Sequence, residues 1–306
     1  MRGAVSAGMC VVLEAAGVVD AFDRVYGVSA GALNGWATAV GQAAMSATHY
    51  EDAAARRVIN RMRPLLGRPL VDFDLLFEDL IAARKPLSFD RLATGPEFRA
   101  LATSLETLSL RVLEGFADGD EVLQAVRASA SVPRLGGRQP VFRGERMADG
   151  ALIEPIPFET ALAQGATHVL VLRSRPAGYR HSALMERTEL LTLRDDPDLL
   201  ELARARRGSY NHLADALEGG QAGVLQVAVP DGTRLIGRLQ ADPRRVVEAL
   251  RLGATAMASA LLSDAVDLCW QPAVYQAAPV ALPVPLPVPA PAGRRRSVAV
   301  RAGVHG

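Results

Sequence analysis

One stretch, "RVYGVSAGALNGWATAV", constrains the fold of this chain more than any other. Residues 23–28 are short, β-branched and aromatic, and read as a strand. The small apolar residues after Ser29 read as a helix over residues 30–44. Between them, Gly27-Val28-Ser29-Ala30-Gly31 has the spacing G-x-S-x-G. Between a strand and a helix, that spacing makes a sharp bend and projects the serine hydroxyl from the strand's C-terminal end. The following helix points its N-terminal N–H groups and the positive end of its dipole at the same spot. Ser29 is therefore a candidate nucleophile, and the Ala30 N–H a candidate donor to a developing oxyanion.

The rest of the pattern extends this unit into an α/β fold. Residues 4–16 are apolar on most faces and predict a buried helix. Helices are expected over 72–84, 120–130, 157–164, 198–217 and 243–262. Strands are expected over 108–113, 141–148, 167–172 and 223–229, with "THVLVL" as a buried one. The alternation predicts a mostly parallel central sheet with helices on both faces. One domain is expected over residues 1–276. Residues 277–306 are rich in proline, alanine and valine and predict an extended, disordered tail. Within it, Arg294-Arg295-Arg296 is a candidate contact for anionic lipid, set against the plainer reading of a solvated charge run.

Composition narrows the function. The formal charge is +1, which gives no support to nucleic-acid binding. Two cysteines, Cys10 and Cys269, make neither a disulfide framework nor a zinc site, and Cys10 reads as a small buried hydrophobe. The N-terminus has no secretory pattern and no run of 18 apolar residues occurs, so a cytoplasmic, non-spanning protein is expected.

Ser29 needs a proton acceptor. His168, His181 and His212 follow it, but His168 opens a strand and the other two sit in Arg-rich stretches without a turn. The better turn is "RMADGALIEPIP", where Asp149-Gly150 follows a strand-like segment. Alone, an Asp-Gly pair is also ordinary turn punctuation.

Taken together, these motifs resemble the bacterial patatin-like phospholipases. That family carries a G-G-G-x-R-G loop, a G-x-S-x-G elbow, an A-S-x-x-x-P segment and a D-G-G/A motif, in that order. Here Met1-Arg2-Gly3, Gly27 to Gly31, an offset form in "RASASVPRL" and Asp149-Gly150-Ala151 stand in the same order, over roughly residues 1–265. The resemblance implies a Ser–Asp dyad of Ser29 and Asp149, with Arg2, Gly3, Gly27, Ala30, Gly31 and Gly150 shaping the turn and the oxyanion site. It implies hydrolysis of lipid esters, of phospholipase A or lysophospholipase type, without metal or cofactor. It also implies peripheral contact with a membrane, here its inner face. Residues 65–84 could then form an apolar lid or channel, although such patterns are more often ordinary core. The family's loop glycines and the strand before them would precede Met1. Two expectations follow: Met1 is an internal methionine of a longer protein, or the chain is a shortened, weakly active or silent lipid-binding homologue.

Overall fold

The structure is a computed structural model that describes residues 1–51, 58–60, 62–133, 135–193, 196–233, 236–240, 242–262 and 273–276. The expected proline-rich tail and its arginine run lie outside the described residues.

Helix α1 (Gly3–Ala15) is buried along nearly its whole length, as an all-round apolar helix must be. It crosses α9 (Pro243–Leu262) closely because both carry glycine at the contact. A Cβ at Gly8 would lie 1.9 Å from the Leu250 carbonyl oxygen, and one at Gly253 would lie 1.8 Å from that of Val5. Cys10 is buried in this packing, which pushes its thiol up to about 11.

Strand β1 (Arg24–Val28) leads through Ser29 into α2 (Ala30–Ala39). The helix expected over 30–44 is two helices, because Gly41 takes the left-handed conformation (φ 64°) and closes α2. The N–H groups of Gly41 and Gln42 donate back to Thr38 and Ala37, a glycine C-terminal cap. Helix α3 (Ala43–Glu51) then starts afresh. The helix expected over 72–84 is wound wider, as a π-helix, α4 (Leu75–Arg84). Its i,i+5 spacing brings Arg84 onto Asp79, with a 2.9 Å ion pair.

Next comes β2 (Glu97–Ser104), buried along most of its length, for which the sequence carries no clear strand signal. Strand β3 (Ser109–Leu113), helix α5 (Gly119–Ala130) and the hairpin β4 (Val141–Phe142) and β5 (Glu145–Asp149) follow. Arg143 and Gly144 form the two-residue hairpin turn, both with positive φ. Strand β1 pairs with β2 in parallel, while β3 and β5 pair with β2 antiparallel. Strand β3 faces Ala100 to Ser104 on one edge of β2. Strands β1 and β5 therefore share the other edge, β1 up to Leu101 and β5 from Ala102 onward.

Helix α6 (Phe158–Ala163) leads to β6 (Val169–Arg173), and then come α7 (Ala183–Leu193), α8 (Pro197–Glu218) and β7 (Val224–Ala228). Strands β6, β7 and β8 (Ala273–Gln276) make a second, wholly parallel sheet. The class is α/β with helix-flanked sheets, as the alternation predicts. Among the described strands the pairings divide evenly between parallel and antiparallel, because the tight β2–β3 and β4–β5 connections can only join antiparallel neighbours. Strands β1 and β6 each pair along one edge among the described strands, and residues of both line a cavity of about 1040 Å³. That cavity is why "THVLVL" is half-buried rather than buried.

Candidate active site

The two sheet edges explain how Ser29 and Asp149 meet. The last residue of β1, Val28, stands opposite Leu101, and the last residue of β5, Asp149, stands opposite Ala102. The strands run toward each other along one edge of β2 and end head to head. Ser29 is the next residue after β1, and its Oγ donates to Asp149 Oδ2 at 2.7 Å.

The elbow is strained where the spacing predicts it. Ser29 has φ 56° and ψ −130°, a conformation that non-glycine residues rarely adopt. Gly27 is required by close approach: a Cβ there would lie 2.5 Å from Ala32 Cα and 2.6 Å from the Gly31 carbonyl oxygen. Gly150 is required in the same way, with Leu101 O only 2.3 Å from a Cβ at its position. Gly31 is different, since a Cβ there meets nothing within 4 Å and open space surrounds it. Close approach therefore calls for glycine at position 27 and makes no such demand at position 31.

Asp149 is 6% exposed and well anchored. Its Oδ1 accepts from the Ala151 N–H at 2.9 Å, and its own carbonyl accepts from Thr103 Oγ1 at 3.0 Å. Burial raises the carboxyl pKa above its ordinary value, opposed by the Ala151 and Ser29 hydrogen bonds and by the charges of Arg206 and Arg238. The result is a carboxylate more basic than a solvated one, in contact with a hydroxyl.

No histidine among the described residues engages the Ser29 hydroxyl. His49 lies against the Ser46 and Lys85 carbonyls, and His212 pairs with Glu159 at the surface. His168 contacts Thr167, and His181 packs on the Tyr210 ring.

The N-termini of α1 and α2 converge beside Ser29. Arg2, Gly3, Ala30 and Gly31 all line the cavity with Ser29 and Asp149. Gly3 packs on α2 so closely that a Cβ would lie 2.5 Å from both the Ala30 Cβ and the Tyr50 hydroxyl. Asn34 fixes this arrangement: its Nδ2 donates to the Gly3 carbonyl at 2.9 Å and to Ser6 Oγ at 3.0 Å, and its Oδ1 accepts from Tyr50. The first-turn N–H groups of a helix lack intrahelical acceptors; the Ser29 N–H goes to Ser129 Oγ and the Ala32 N–H to the Ser29 carbonyl, which leaves those of Ala30 and Gly31 as candidate donors. Val126, Phe73, Leu76 and Phe77 supply apolar cavity wall, so part of the expected lid region does border the site.

Sequence reasoning missed one supporting residue. Ser129 is fully buried on α5; its Oγ accepts the Ser29 N–H at 2.9 Å and donates to the Leu101 carbonyl at 2.6 Å. It holds the strained elbow onto β2. Its signal was the offset "RASASVPRL" segment, which suggested a motif without a role.

Comparison with known proteins agrees with this geometry. The patatin-like phospholipase family model matches residues 1–162, a span that contains Arg2, Gly3, the elbow, Ser129 and Asp149. No curated protein matches the chain. The matched span covers more than half of the sequence, and within it the motif residues meet around one cavity; the chain belongs to the patatin-like phospholipase family.

Proposed function

We propose that the protein is a serine acyl hydrolase of lipid esters, phospholipase A or lysophospholipase in type, working through a Ser29–Asp149 dyad. The observation that carries this reading is the 2.7 Å hydrogen bond from a strained elbow serine to a buried carboxylate, set in the wall of a cavity of about 1040 Å³. The cavity's apolar wall suits an acyl chain.

In the first half-reaction, Ser29 Oγ attacks the ester carbonyl as its proton passes to Asp149 Oδ2. The C=O π electrons move to oxygen, and the α2 N-terminus donates to the oxyanion formed. Collapse restores the carbonyl and breaks the bond to the alcohol, which takes the proton from Asp149. In the second half, water gives a proton to Asp149 and attacks the acyl-serine. Ser29 then leaves with that proton, and a fatty acid is released. The raised basicity of Asp149 suits a carboxylate working near neutral pH.

The exposed apolar residues Met62, Leu65 and Leu66 lie on the turn that precedes the cavity-lining segment Val71–Phe77. They suit shallow insertion into a lipid surface. No described helix is long and apolar enough to cross a membrane.

The test is hydrolysis of p-nitrophenyl acyl esters and lysophospholipid by the wild-type chain, Ser29→Ala and Asp149→Asn. Turnover lost in both variants supports the dyad. Equal rates in all three proteins overturn it, and lipid binding without turnover in the wild type returns the silent, lipid-binding reading.

A further inference from the structure

Asn34 follows Ala30 by four residues on α2 and so shares its helix face. A helical side chain leans back toward the N-terminus, which aims the Asn34 amide behind the turn that carries the Ala30 N–H. Asn34 is 3% exposed, and both ends of its amide are engaged. Nδ2 donates to the Gly3 carbonyl and to Ser6 Oγ, and Oδ1 accepts from the Tyr50 hydroxyl at 3.0 Å. One side chain thus ties α2 to α1 and to α3. Asparagine is a poor helix former, and a buried amide gains little net stability from its hydrogen bonds. Packing alone does not call for it at this position.

The joint that Asn34 holds lies between two helix N-termini. Both carry partial positive charge, so their close approach is electrostatically unfavourable until an anion lies between them. Yet the contact is tight enough that Gly3 has no room for a Cβ beside Ala30. The Ala4 and Val5 N–H groups turn back onto the Met1 and Arg2 carbonyls. The first N–H of a helix has no acceptor within it, so the Gly3 N–H is the counterpart on α1 of the Ala30 N–H on α2. Donors on two helices can address one oxygen, at about 2.7–3.1 Å each, only over a narrow range of helix–helix placement.

The hydrogen bonds around Asn34 leave it one orientation. Tyr50, buried on α3, donates to Oδ1, and burial pushes the tyrosine pKa up, so the hydroxyl keeps its proton. With Oδ1 turned to Tyr50, Nδ2 faces Gly3. Ser6 Oγ donates to the same Gly3 carbonyl at 3.1 Å, and Thr38 Oγ1 donates to the Asn34 carbonyl at 2.7 Å. A buried network with its members satisfied is stiff and specifies one arrangement. Because protein groups engage its amide, Asn34 acts through Gly3 and not on substrate.

We propose that Asn34, oriented by Tyr50, is a positioning residue for ester hydrolysis: it holds the first turn of α1 against that of α2 so that the Gly3 and Ala30 N–H groups meet on the oxyanion formed at Ser29. The proposal rests on the acyl-hydrolase reading of the site and adds to it a residue that bonds to neither the nucleophile nor the base.

The test compares wild type with Asn34→Ala, Asn34→Asp and Tyr50→Phe, each checked for native circular dichroism. Asn34→Asp keeps the shape but turns an acceptor toward the Gly3 carbonyl. On p-nitrophenyl butyrate, both Asn34 variants should lose about tenfold to a hundredfold in kcat, with KM within about twofold of wild type. The second readout is the rate at which diethyl p-nitrophenyl phosphate and its P=S counterpart phosphorylate Ser29. In each, Ser29 Oγ bonds to phosphorus, its proton passes to Asp149 and p-nitrophenolate leaves. Sulfur accepts hydrogen bonds poorly, so the oxygen-over-sulfur rate ratio reports the oxyanion donors. That ratio should shrink about tenfold in the Asn34 variants and by less in Tyr50→Phe. A merely structural role lowers both rates and leaves the ratio alone. An unchanged ratio in the variants that fold therefore overturns the proposal, and Tyr50→Phe, which keeps its ring, decides the matter if the Asn34 variants do not fold. A wild type that reacts with neither the ester nor the phosphate refutes the hydrolase reading and the positioning role with it. One that turns over the ester while the variants keep its ratio refutes the positioning role alone.

Discussion

Gly150 and Leu101 are in backbone contact: a Cβ on Gly150 would sit 2.3 Å from the Leu101 carbonyl oxygen. The same carbonyl accepts from Ser129 Oγ, and Leu101 itself registers with Val28. One residue of β2 thus seats the elbow, its buried support and the aspartate turn. Gly150→Ala must therefore push β5 away from β2 and move Asp149 with it. We expect a loss of about 1–3 kcal/mol in stability, measured by urea unfolding, and a fall in kcat larger than any change in KM. Gly31→Ala is the counterpart. It has open space and a helical position, so its unfolding midpoint should hold or rise, by about 0.5–1 kcal/mol.

Ser129→Ala removes the acceptor for the Ser29 N–H and a donor to Leu101. An unsatisfied buried N–H at a strained residue should cost about 1–3 kcal/mol in stability. Ester turnover should fall while Ser29 stays chemically present. A fluorophosphonate probe checks this: labelling of Ser129→Ala should be slowed rather than abolished.

These two predictions show where the site was legible and where it was not. The elbow and the Asp-Gly turn are local, so their residue types could be read directly, and both lie where the strand–turn pattern places them. Strand β2, which joins them, was not legible. It is buried with alanines at Ala100 and Ala102 and charged at Glu97 and Arg99, so it lacks both the alternation and the β-branched run that mark a strand. Its assignment comes from pairing on both edges, a tertiary fact. The helix break at Gly41 was missed because small apolar residues continue on both sides of it.

The activity should follow the ionisation of Asp149. Because burial raises that pKa, the acid limb of kcat/KM should lie above the ordinary carboxylate range, with activity rising as pH climbs through it. Asp149→Asn should lose the limb together with most activity, by about 10³-fold or more. A limb at the pKa of a solvated aspartate would argue against Asp149 as the base.

Stability should move the other way. A carboxyl whose folded pKa is raised keeps its proton in the folded state at pH values where the unfolded chain has released it. Between the unfolded and folded pKa values the folded state holds more protons, so stability falls as pH rises through that window. At neutral pH the buried ionised Asp149 is therefore a net cost, accepted for function. Asp149→Asn should melt higher than wild type at pH 7, with the gap narrowing toward acid pH, as followed by circular dichroism.

The apolar turn at Arg63–Leu66 carries a separable prediction. Leu65 and Leu66 are each 76% exposed, so they contribute little to the core, and replacing both with aspartate should leave the melting temperature within about 0.5 kcal/mol equivalent of wild type. If the turn inserts into lipid, the double variant should lose activity on vesicles relative to a monomeric p-nitrophenyl ester. Each leucine buried in the acyl boundary contributes about 1.5–3 kcal/mol, so the ratio of the two activities should fall at least tenfold. Co-sedimentation with vesicles should weaken in parallel. An unchanged ratio would mean that substrate reaches Ser29 without this turn meeting the bilayer.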